Sequence, residues 1–424
     1  MLLERIWRIL GPGILLAATS IGASHLVLSP QAGARFGYQL LWLVLAAHLF
    51  KYPAFECGPR YAAATGQHLL QGYLRLGGPR GWALWLFLAS TVAQGIGVLA
   101  GVVSVSGAVL SSWTGWLDST CWSLLVITVV VFLLLAGGFG WLDSLNKVMM
   151  ATLAVSTLLA FLPVCPGPGK LAHLVMPALP EGSILLVAAI LGWMPTGIDV
   201  SIWHSFWSLE KIRLLEARGR AHGRHDPATR LRAALIDMRT GYGLSLLTGI
   251  MFVCMGASYL AGRAGELRGV EFANALSSAY TSVMGEWMRQ LFMLTAFFAM
   301  FSTSYTVIDG FSRSFSEALA TLVVRFSGPR PRRRHYLAFV AGSSILAAVT
   351  IRFAGNPVTL VTVVALLSLA VAPLLYALNL LCTDRHIEEA ALRPHRFTLW
   401  LGWAGVVVML LALGLTFHLK VLAG

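Results

Sequence analysis

The sequence predicts an all-α integral membrane protein with eleven transmembrane helices, and three observations lead to that prediction. Apolar residues make up 57% of the 424 residues and charged residues only 12%, whereas soluble domains carry about 25% charged residues. Apolar stretches of the roughly 20 residues that cross a bilayer follow one another along the chain. Basic residues gather in every second connection between them. A single transmembrane domain over residues 1–424 is therefore expected.

The apolar stretches place the eleven spans in order. They lie at residues 11–33, 38–57, 82–110, 120–139, 145–163, 183–208, 240–262, 287–324, 336–353, 357–382 and 397–419. The connections rich in arginine and lysine all fall on one side of this arrangement, and such connections are typically cytoplasmic. The pattern therefore predicts a multi-pass protein of the cell inner membrane, with a cytoplasmic N-terminus and an external C-terminus. The longest basic connection, residues 209–239, is either a solvated loop or a surface helix on anionic lipid.

Composition also argues against other classes of protein. The net charge of +13 would suit a nucleic-acid partner, but its distribution follows the membrane connections, so the expected partners are the lipid bilayer and a transported ion or small solute. The five cysteines are scattered and suggest neither a disulfide framework nor a metal site. No nucleophile–base pair or carboxylate dyad stands out. Neither an enzyme nor a bound cofactor is expected.

Two spans look interrupted. The first contains Gly11-Pro12-Gly13 and a weakly apolar patch at residues 20–25, and the sixth contains Met194-Pro195-Thr196-Gly197. Proline and glycine disfavour a continuous helix, and broken backbone inside a membrane survives where protein or a water-filled cavity satisfies it. Spans one and six correspond if five helices are repeated as an inverted pair, at roughly 11–163 and 183–382, with an extra helix at 397–419. Matching interruptions of this kind indicate a transport site.

The residues around both interruptions resemble the Nramp family of divalent-metal transporters. The resemblance lies in Gly11-Pro12-Gly13, Gln31-Ala32-Gly33-Ala34, Ala64-Thr65-Gly66 and Met194-Pro195. It implies the leucine-transporter type of fold, a five-plus-five inverted repeat plus one helix, and transport by alternating access.

The resemblance also shows departures at the metal site. The family's Asp-Pro-Gly-Asn motif falls on Gly22, Ala23, Ser24 and His25, so its aspartate and asparagine ligands are replaced by Gly22 and His25. The methionine ligand is kept as Met194, whereas the histidine two places later is Thr196. The acidic pair of the family's proton path falls on Thr91 and Gln94. The resemblance therefore implies a divergent relative with a rebuilt site and without tight proton coupling.

The residues at the breaks are the candidate substrate site. Asp199 follows the second break, and a carboxylate inside a span is a functional candidate by default, although it could instead cap the restarted helix. His25 could bind a metal, carry a proton or hydrogen-bond a freed carbonyl. Met194 could be a thioether ligand for manganese or iron, or core packing. The remaining candidates for substrate binding are Thr196, Gly22 and Ser24, which would bind through backbone carbonyls or side-chain hydroxyls.

Other polar residues inside the spans are weaker candidates for a functional role. Lys51 could pair with Glu56, or face the pathway and repel cations, and Glu56 could also carry protons. Asp309 and Arg313, four residues apart, should pair. Ser302 and Thr303 belong to a hydroxyl-rich stretch of span eight, the helix that helps to hold sodium in sodium-coupled members of the implied fold. Ordinary hydrogen bonding between helices would also explain them.

The sequence leaves three functions in competition. The leading one is a secondary transporter of a divalent metal cation. The second is a transporter of the same fold that has lost metal transport and moves a small organic solute, with sodium as a candidate coupling ion. The third is a membrane sensor or scaffold that transports nothing.

Overall fold

The computed structural model describes residues 11–79, 81–136, 139–217, 226–261 and 285–419, with isolated positions between 261 and 285. Every regular element within these ranges is a helix, which confirms the all-α prediction. Fourteen of these helices, numbered in chain order, carry the description of the site. They are α1 Pro12–Ser20, α2 Ser29–Phe36, α3 Leu41–Thr65, α4 Leu69–Leu74, α5 Trp82–Thr114, α6 Ser119–Ala136, α7 Phe139–Phe161, α8 Ile184–Trp193, α9 Asp199–Ala217, α10 Pro227–Tyr259, α11 Glu286–Leu322, α12 Pro329–Ala354, α13 Pro357–His386 and α14 Arg396–Phe417.

Short helical segments lie between some of these helices. A π-helical segment at Ser24–Leu28 joins α1 to α2, and Pro168–Leu171 forms a single α-helical turn. The remaining short segments are 3₁₀ turns at Leu162–Val164, Ala172–Leu174, Val324–Phe326 and Ala390–Leu392.

The ends of several helices follow from local sequence. Asp226 caps α10, since its carboxylate accepts hydrogen bonds from the backbone N–H groups of Ala228 and Thr229, and proline follows it at the first helical position. Asn356 caps α13 in the same way. Gly66 ends α3 with a φ of 68°, a left-handed conformation that favours glycine.

Nine helical stretches of the described residues are long and apolar enough to cross a membrane. Two predicted spans are not among these nine. One is α3, which carries Lys51, Glu56 and Arg60. The other is the sixth span, which is split into the short α8 and the more polar α9. The polytopic helical architecture is thus confirmed, while the count of eleven stays a prediction.

Both predicted interruptions are present. The first break, residues 21–23, separates α1 from the π-helical segment. The second break, residues 194–198, separates α8 from α9. Broken helices expose backbone carbonyls, so both breaks need partners from neighbouring elements.

The broken helices lie inside the bundle. Helix α10 packs against α1, α2 and α3, while α11 packs against α1, α5, α7 and α12, and α13 packs against α5, α8 and α14. Large apolar side chains on the outer helices are exposed, including Phe132, Ile345 and Leu411 at 66%, 64% and 67%. Such faces suit a lipid surround and would be costly in water.

The described end of the basic connection at 209–239 is neither a loop nor a separate surface helix. Its last part, Pro227–Arg239, is the beginning of α10 and continues into the seventh span. Arg239 lies 3.8 Å from the carboxylate of Glu56 and donates to the hydroxyl of Tyr52 at 2.8 Å. Residues 218–225 of the connection lie outside the described ranges.

Candidate functional site

The first break is held against α11 through Thr303. Its hydroxyl donates to the carbonyl of Ala18 at 2.7 Å, as well as to Ala299 in its own helix at 2.8 Å. Gly22 permits this approach, because a side chain at that position would overlap the Thr303 side chain. Gly22 therefore allows close contact between the first break and α11.

Ser24 and His25 connect the first break to the second break and to α10. The Ser24 hydroxyl lies 2.9 Å from the Ser20 carbonyl and 3.4 Å from the carbonyl of Pro195. His25 is fully buried, with Nδ1 2.8 Å from the Ser24 hydroxyl and Nε2 2.9 Å from the Ser245 carbonyl. Because a carbonyl only accepts, Nε2 carries the proton in this arrangement. Both ring nitrogens of His25 therefore already have partners.

The second break is closed by Lys51. This side chain is fully buried on α3, and its ammonium donates to the carbonyls of Gly192 at 2.9 Å and Thr196 at 3.1 Å. The expectation that Lys51 pairs with Glu56 is wrong. The carbonyls released where α8 ends are better acceptors for the ammonium, because they otherwise lack partners in a dry interior.

Glu56 belongs to a separate charged cluster. Its carboxylate accepts from Arg60 at 2.6 Å and from the Tyr52 hydroxyl at 2.7 Å, and Arg239 lies near it. Arg60 also donates to the carbonyl of Leu392 at 2.6 Å. The structure does not bring Glu56 to either break.

Asp199 is the first residue of α9 and is 5% exposed. Its carboxylate lies beside Gly197 and lines the cavity between the breaks. Asp199 is three residues after Thr196, whose carbonyl accepts from the Lys51 ammonium. Its position in the first turn of α9 is also the one that favours a helix-capping carboxylate. Asp199 thus has oxygen lone pairs that remain available to a ligand.

A small cavity lies between the two breaks and α11. Water-sized spheres can occupy about 20 Å³ of it, which is room for one water molecule or small ion and not for an organic solute. Six polar side chains line it, namely Thr19, Ser24, Thr196, Asp199, Thr303 and, from α13, Ser368. Its remaining lining is mostly apolar and includes Trp193, Trp203 and Phe311.

Met194 and His25 lie together outside this lining. A methyl group at Gly249 on α10 would be 3.4 Å from His25 Nε2 and 3.5 Å from Met194 Cε. Met194 is fully buried there. The structure therefore divides the expected metal ligands into a cavity group with Asp199 and a neighbouring pair, and Ser24 joins the two. Across the described ranges, no three His, Cys, Asp or Glu side chains form a ready metal cluster.

Ser302 and Thr303 of α11, the two candidates for ion coupling, have different surroundings. Thr303 lines the cavity, whereas Ser302 is fully buried and donates to Ala299 in its own helix at 2.9 Å. About two turns further along α11, Arg313 donates to Asp309 at 2.8 Å, which confirms their predicted pairing. Tyr336 and Trp207 donate to the same carboxylate.

Aromatic side chains close one end of the cavity. Trp203 of α9 meets Phe311 of α11 edge to face, with ring centroids 4.6 Å apart. Gly310 accommodates the indole, since a side chain there would overlap it. A second cavity of about 240 Å³ is lined by residues further along the same two helices, including Phe206, Arg313 and Glu317. Trp203 and Phe311 line the small cavity and are not among the lining residues of the larger one.

Sequence reasoning missed one carboxylate near the first broken helix. Asp237 of α10 accepts from the backbone N–H groups of Gly11 at 3.0 Å and Gly13 at 2.9 Å. The start of α1, Gly-Pro-Gly, offers no side chain to cap these donors, so a distant acceptor was to be expected. Nothing in the sequence identifies which acceptor supplies it.

Comparison with known proteins gives a consistent result. The profile of the family described as natural resistance-associated macrophage protein-like (Nramp) matches residues 13–419. An uncharacterized protein of Pasteurella multocida is 31% identical over 82% of this chain and 78% of its own length. A divalent metal cation transporter, MntH, of Chromohalobacter salexigens is 28% identical over 58% of this chain and 56% of its own length.

Solved structures share the fold at low sequence identity. A variant of the Eremococcus coleocola manganese transporter has a TM-score of 0.72 at 15% identity, covering 96% of this chain and 85% of that one. Mhp1, a nucleobase-cation-symport-1 family transporter, has a TM-score of 0.57 at 17% identity, covering 96% and 87%. These neighbours confirm the transporter fold of the leucine-transporter type.

Proposed function

We propose, from the premise that this chain belongs to the Nramp family, that it carries a divalent metal cation across the cytoplasmic membrane by alternating access. It is a secondary transporter and not an enzyme. The MntH relative and the manganese transporter of the same fold are named for such cations. In the proposed orientation, the N-terminus is cytoplasmic and the C-terminus is outside, as the distribution of basic residues favours.

The observation that carries the proposal is the carboxylate of Asp199 in the small cavity. It is nearly fully buried, and it faces space for a single small species. A carboxylate held inside a membrane bundle is costly unless it is used or neutralised. Hard divalent cations favour carboxylate, hydroxyl and carbonyl oxygens, and the cavity presents these groups from both breaks.

We assign the ligands in two stages. In the conformation described here, the oxygens of Asp199, Thr196 and Ser24 surround the cavity. Met194 and His25 are adjacent to it and would join the ligand set only after His25 releases a partner. Such an addition of thioether and imidazole would favour manganese or cadmium over magnesium and calcium.

Alternating access requires that the cavity open to one side at a time. The proposed closure is the contact between Trp203 and Phe311, which both line the small cavity, while the 240 Å³ cavity is lined by residues further along their helices. We propose that this larger cavity belongs to the cytoplasmic path, because it lies among basic side chains such as Arg213 and Arg332. Separation of Trp203 from Phe311 would then connect the two cavities.

Calorimetric titration of the purified protein with manganese, magnesium and calcium tests the proposal. We expect saturable binding of manganese, followed by manganese uptake into proteoliposomes that contain the protein. Protein-free liposomes provide the background for uptake. If none of the three metals gives saturable heat, metal transport should be abandoned in favour of a small organic solute, and Thr303 beside the Ala18 carbonyl becomes the place to test for sodium.

A further inference from the structure

Lys51 occupies the place at the second break where a cation would be expected. The break releases carbonyls at the negative end of the α8 dipole, and two of them, from Gly192 and Thr196, accept from the Lys51 ammonium. The ammonium reaches them from α3, a different helix. Thr196 is also one of the residues lining the cavity. A positive charge carried by the chain is therefore already present at the candidate ligand oxygens.

Structural capping alone does not account for the choice of lysine. Freed carbonyls can be satisfied by neutral donors, and the first break shows this, since the Thr303 hydroxyl donates to the Ala18 carbonyl. A buried ammonium costs several kcal/mol in desolvation unless an opposite charge compensates it. Asp199, three residues after Thr196 and lining the same cavity, is the buried carboxylate that supplies the opposite charge. Lys51 and Asp199 thus form a neutral set when no metal is bound.

We infer that the Lys51 ammonium takes the place of the transported metal when the carrier is empty. There it compensates the negative charge of Asp199, and it moves away from the ligand oxygens when metal binds. The inference deepens the proposed function and rests on it. A carrier must change conformation both loaded and empty, and an uncompensated carboxylate in the membrane interior would oppose the empty step. With Lys51 in place, the empty site stays neutral without a coupled proton or sodium ion.

This role has two opposite consequences. Lys51 repels the arriving metal and competes with it for the Thr196 carbonyl, so loss of its charge should strengthen metal binding. Loss of the same charge leaves Asp199 uncompensated after the metal departs, so the empty carrier should return slowly. A lysine that merely stabilised the break would weaken both properties together when it was replaced.

The test compares Lys51→Met with Lys170→Met, the same substitution in the external connection, where Lys170 lies over the ring of Tyr38. Manganese binding is measured by calorimetry. We expect Lys51→Met to bind manganese roughly tenfold more tightly or better, from removal of one nearby positive charge, and Lys170→Met to match the wild type. Equal or weaker binding by Lys51→Met would overturn the inference.

Transport is then measured in two modes in proteoliposomes. Net uptake into metal-free liposomes requires the empty carrier to return, whereas exchange between metal-loaded compartments does not. We expect the ratio of net uptake to exchange to fall roughly tenfold or more in Lys51→Met, because a buried charge is left unpaired. An unchanged ratio would overturn the inference.

A second variant keeps the test valid if Lys51→Met does not fold. Lys51→Gln keeps an amide donor for the break carbonyls without the charge, and it takes over the test if Lys51→Met does not elute as a folded protein. If neither variant folds, the charge is required for structure and the inference is dropped. If the wild type binds no metal, the proposed function fails and the inference with it, whereas wild-type binding with no gain in either variant removes the inference alone.

Discussion

The two broken helices solve the same problem with different chemistry. At the first break, neutral groups satisfy the backbone, with the Gly22 N–H on the Ser20 carbonyl and the Thr303 hydroxyl on the Ala18 carbonyl. At the second break, an ammonium satisfies it, with Lys51 on two carbonyls and Asp199 at the start of the next helix. Neutral hydrogen bonds hold the backbone in one conformation, whereas charged groups attract or repel ions. We therefore infer that the first break positions the site and that the second break determines which ion it binds.

The difference matches the departures from the family motif. Where the resemblance places the family's aspartate and asparagine, the first break carries Gly22 and His25, which contact α11 and α10. The carboxylate that lines the cavity, Asp199, lies at the second break. Within the described residues, the negative charge of the cavity lining is therefore on the sixth span and not on the first.

The largest effect is expected from Asp199→Asn. If the second break determines binding, replacing this carboxylate by an amide of equal shape should reduce manganese uptake at least about 100-fold, as expected when a principal charged ligand is lost. Uptake is measured in proteoliposomes at matched protein amounts. Because the substitution also leaves the buried Lys51 ammonium without its opposite charge, uptake is compared at matched amounts of protein that elutes as folded.

Asp118→Asn is the matched control. This carboxylate is exposed between α5 and α6 and accepts from the backbone N–H of Cys121, a bond that asparagine can also accept. Wild-type uptake is expected for Asp118→Asn. Wild-type uptake by Asp199→Asn would remove the second break from the mechanism.

Met194→Ala should give the next largest effect and tests whether the two ligand groups act together. If the thioether joins the site, binding of manganese and cadmium should weaken about tenfold, while any magnesium binding changes little. Both proteins are titrated by calorimetry, with Met409→Ala of α14, another buried methionine, as the control for lost packing. An equal change for all metals would mean that Met194 only shapes the protein.

Ser24→Ala tests the structural side of the comparison and should have a smaller effect. The substitution removes the hydroxyl beside the Ser20 carbonyl and His25 Nδ1, and we expect a loss of about 1–3 kcal/mol in unfolding free energy. Thermal unfolding in detergent provides the measurement. Ser304→Ala is the control, since that buried hydroxyl only donates within α11 to Met300. Equal effects of the two substitutions would argue against a special role for Ser24.

Local chemistry allowed the sequence to predict part of this site. Pro195 and Gly197 disfavour a helix wherever they stand, so the second break could be located. Asp309 and Arg313 are neighbours on one helix face, so their pairing could be predicted as well. Lys51 could not be assigned in this way. Glu56 is near it in sequence, and only the folded bundle shows that Arg60 binds Glu56 and leaves Lys51 to the carbonyls of α8.

The division of the ligands was also beyond the sequence. Asp199, Met194 and His25 all flank the breaks, and their spacing does not show that only Asp199 faces the cavity. Whether a side chain points towards α10 or towards α11 depends on small features of distant helices. Gly249 makes room for Met194 and His25, while Thr303 fills the space beside Gly22.

The smallest expected effect is on proton movement, for which we predict none. Gln94 of α5 accepts from Ser368 at 2.7 Å and donates to Ser90 at 3.1 Å, and Ser368 lines the cavity. A chain of polar groups therefore leads from the site to Gln94, where the resemblance places one member of the family's acidic pair. The amide of Gln94 does not ionise, and Thr91, at the other position of that pair, does not ionise either. These described residues therefore supply no proton carrier along the chain.

Manganese uptake should therefore leave the liposome lumen at constant pH, as followed with an enclosed pH dye. Addition of a protonophore at the end of each trace shows that the dye would have responded. We also expect uptake to move net charge, because a divalent cation that enters alone makes the lumen positive. A potassium ionophore should therefore accelerate uptake by dissipating that potential. Acidification in proportion to manganese uptake would contradict the prediction. It would direct attention to His25 and Glu56 as carriers, and it would mean that the Lys51–Asp199 set does not replace a coupled proton.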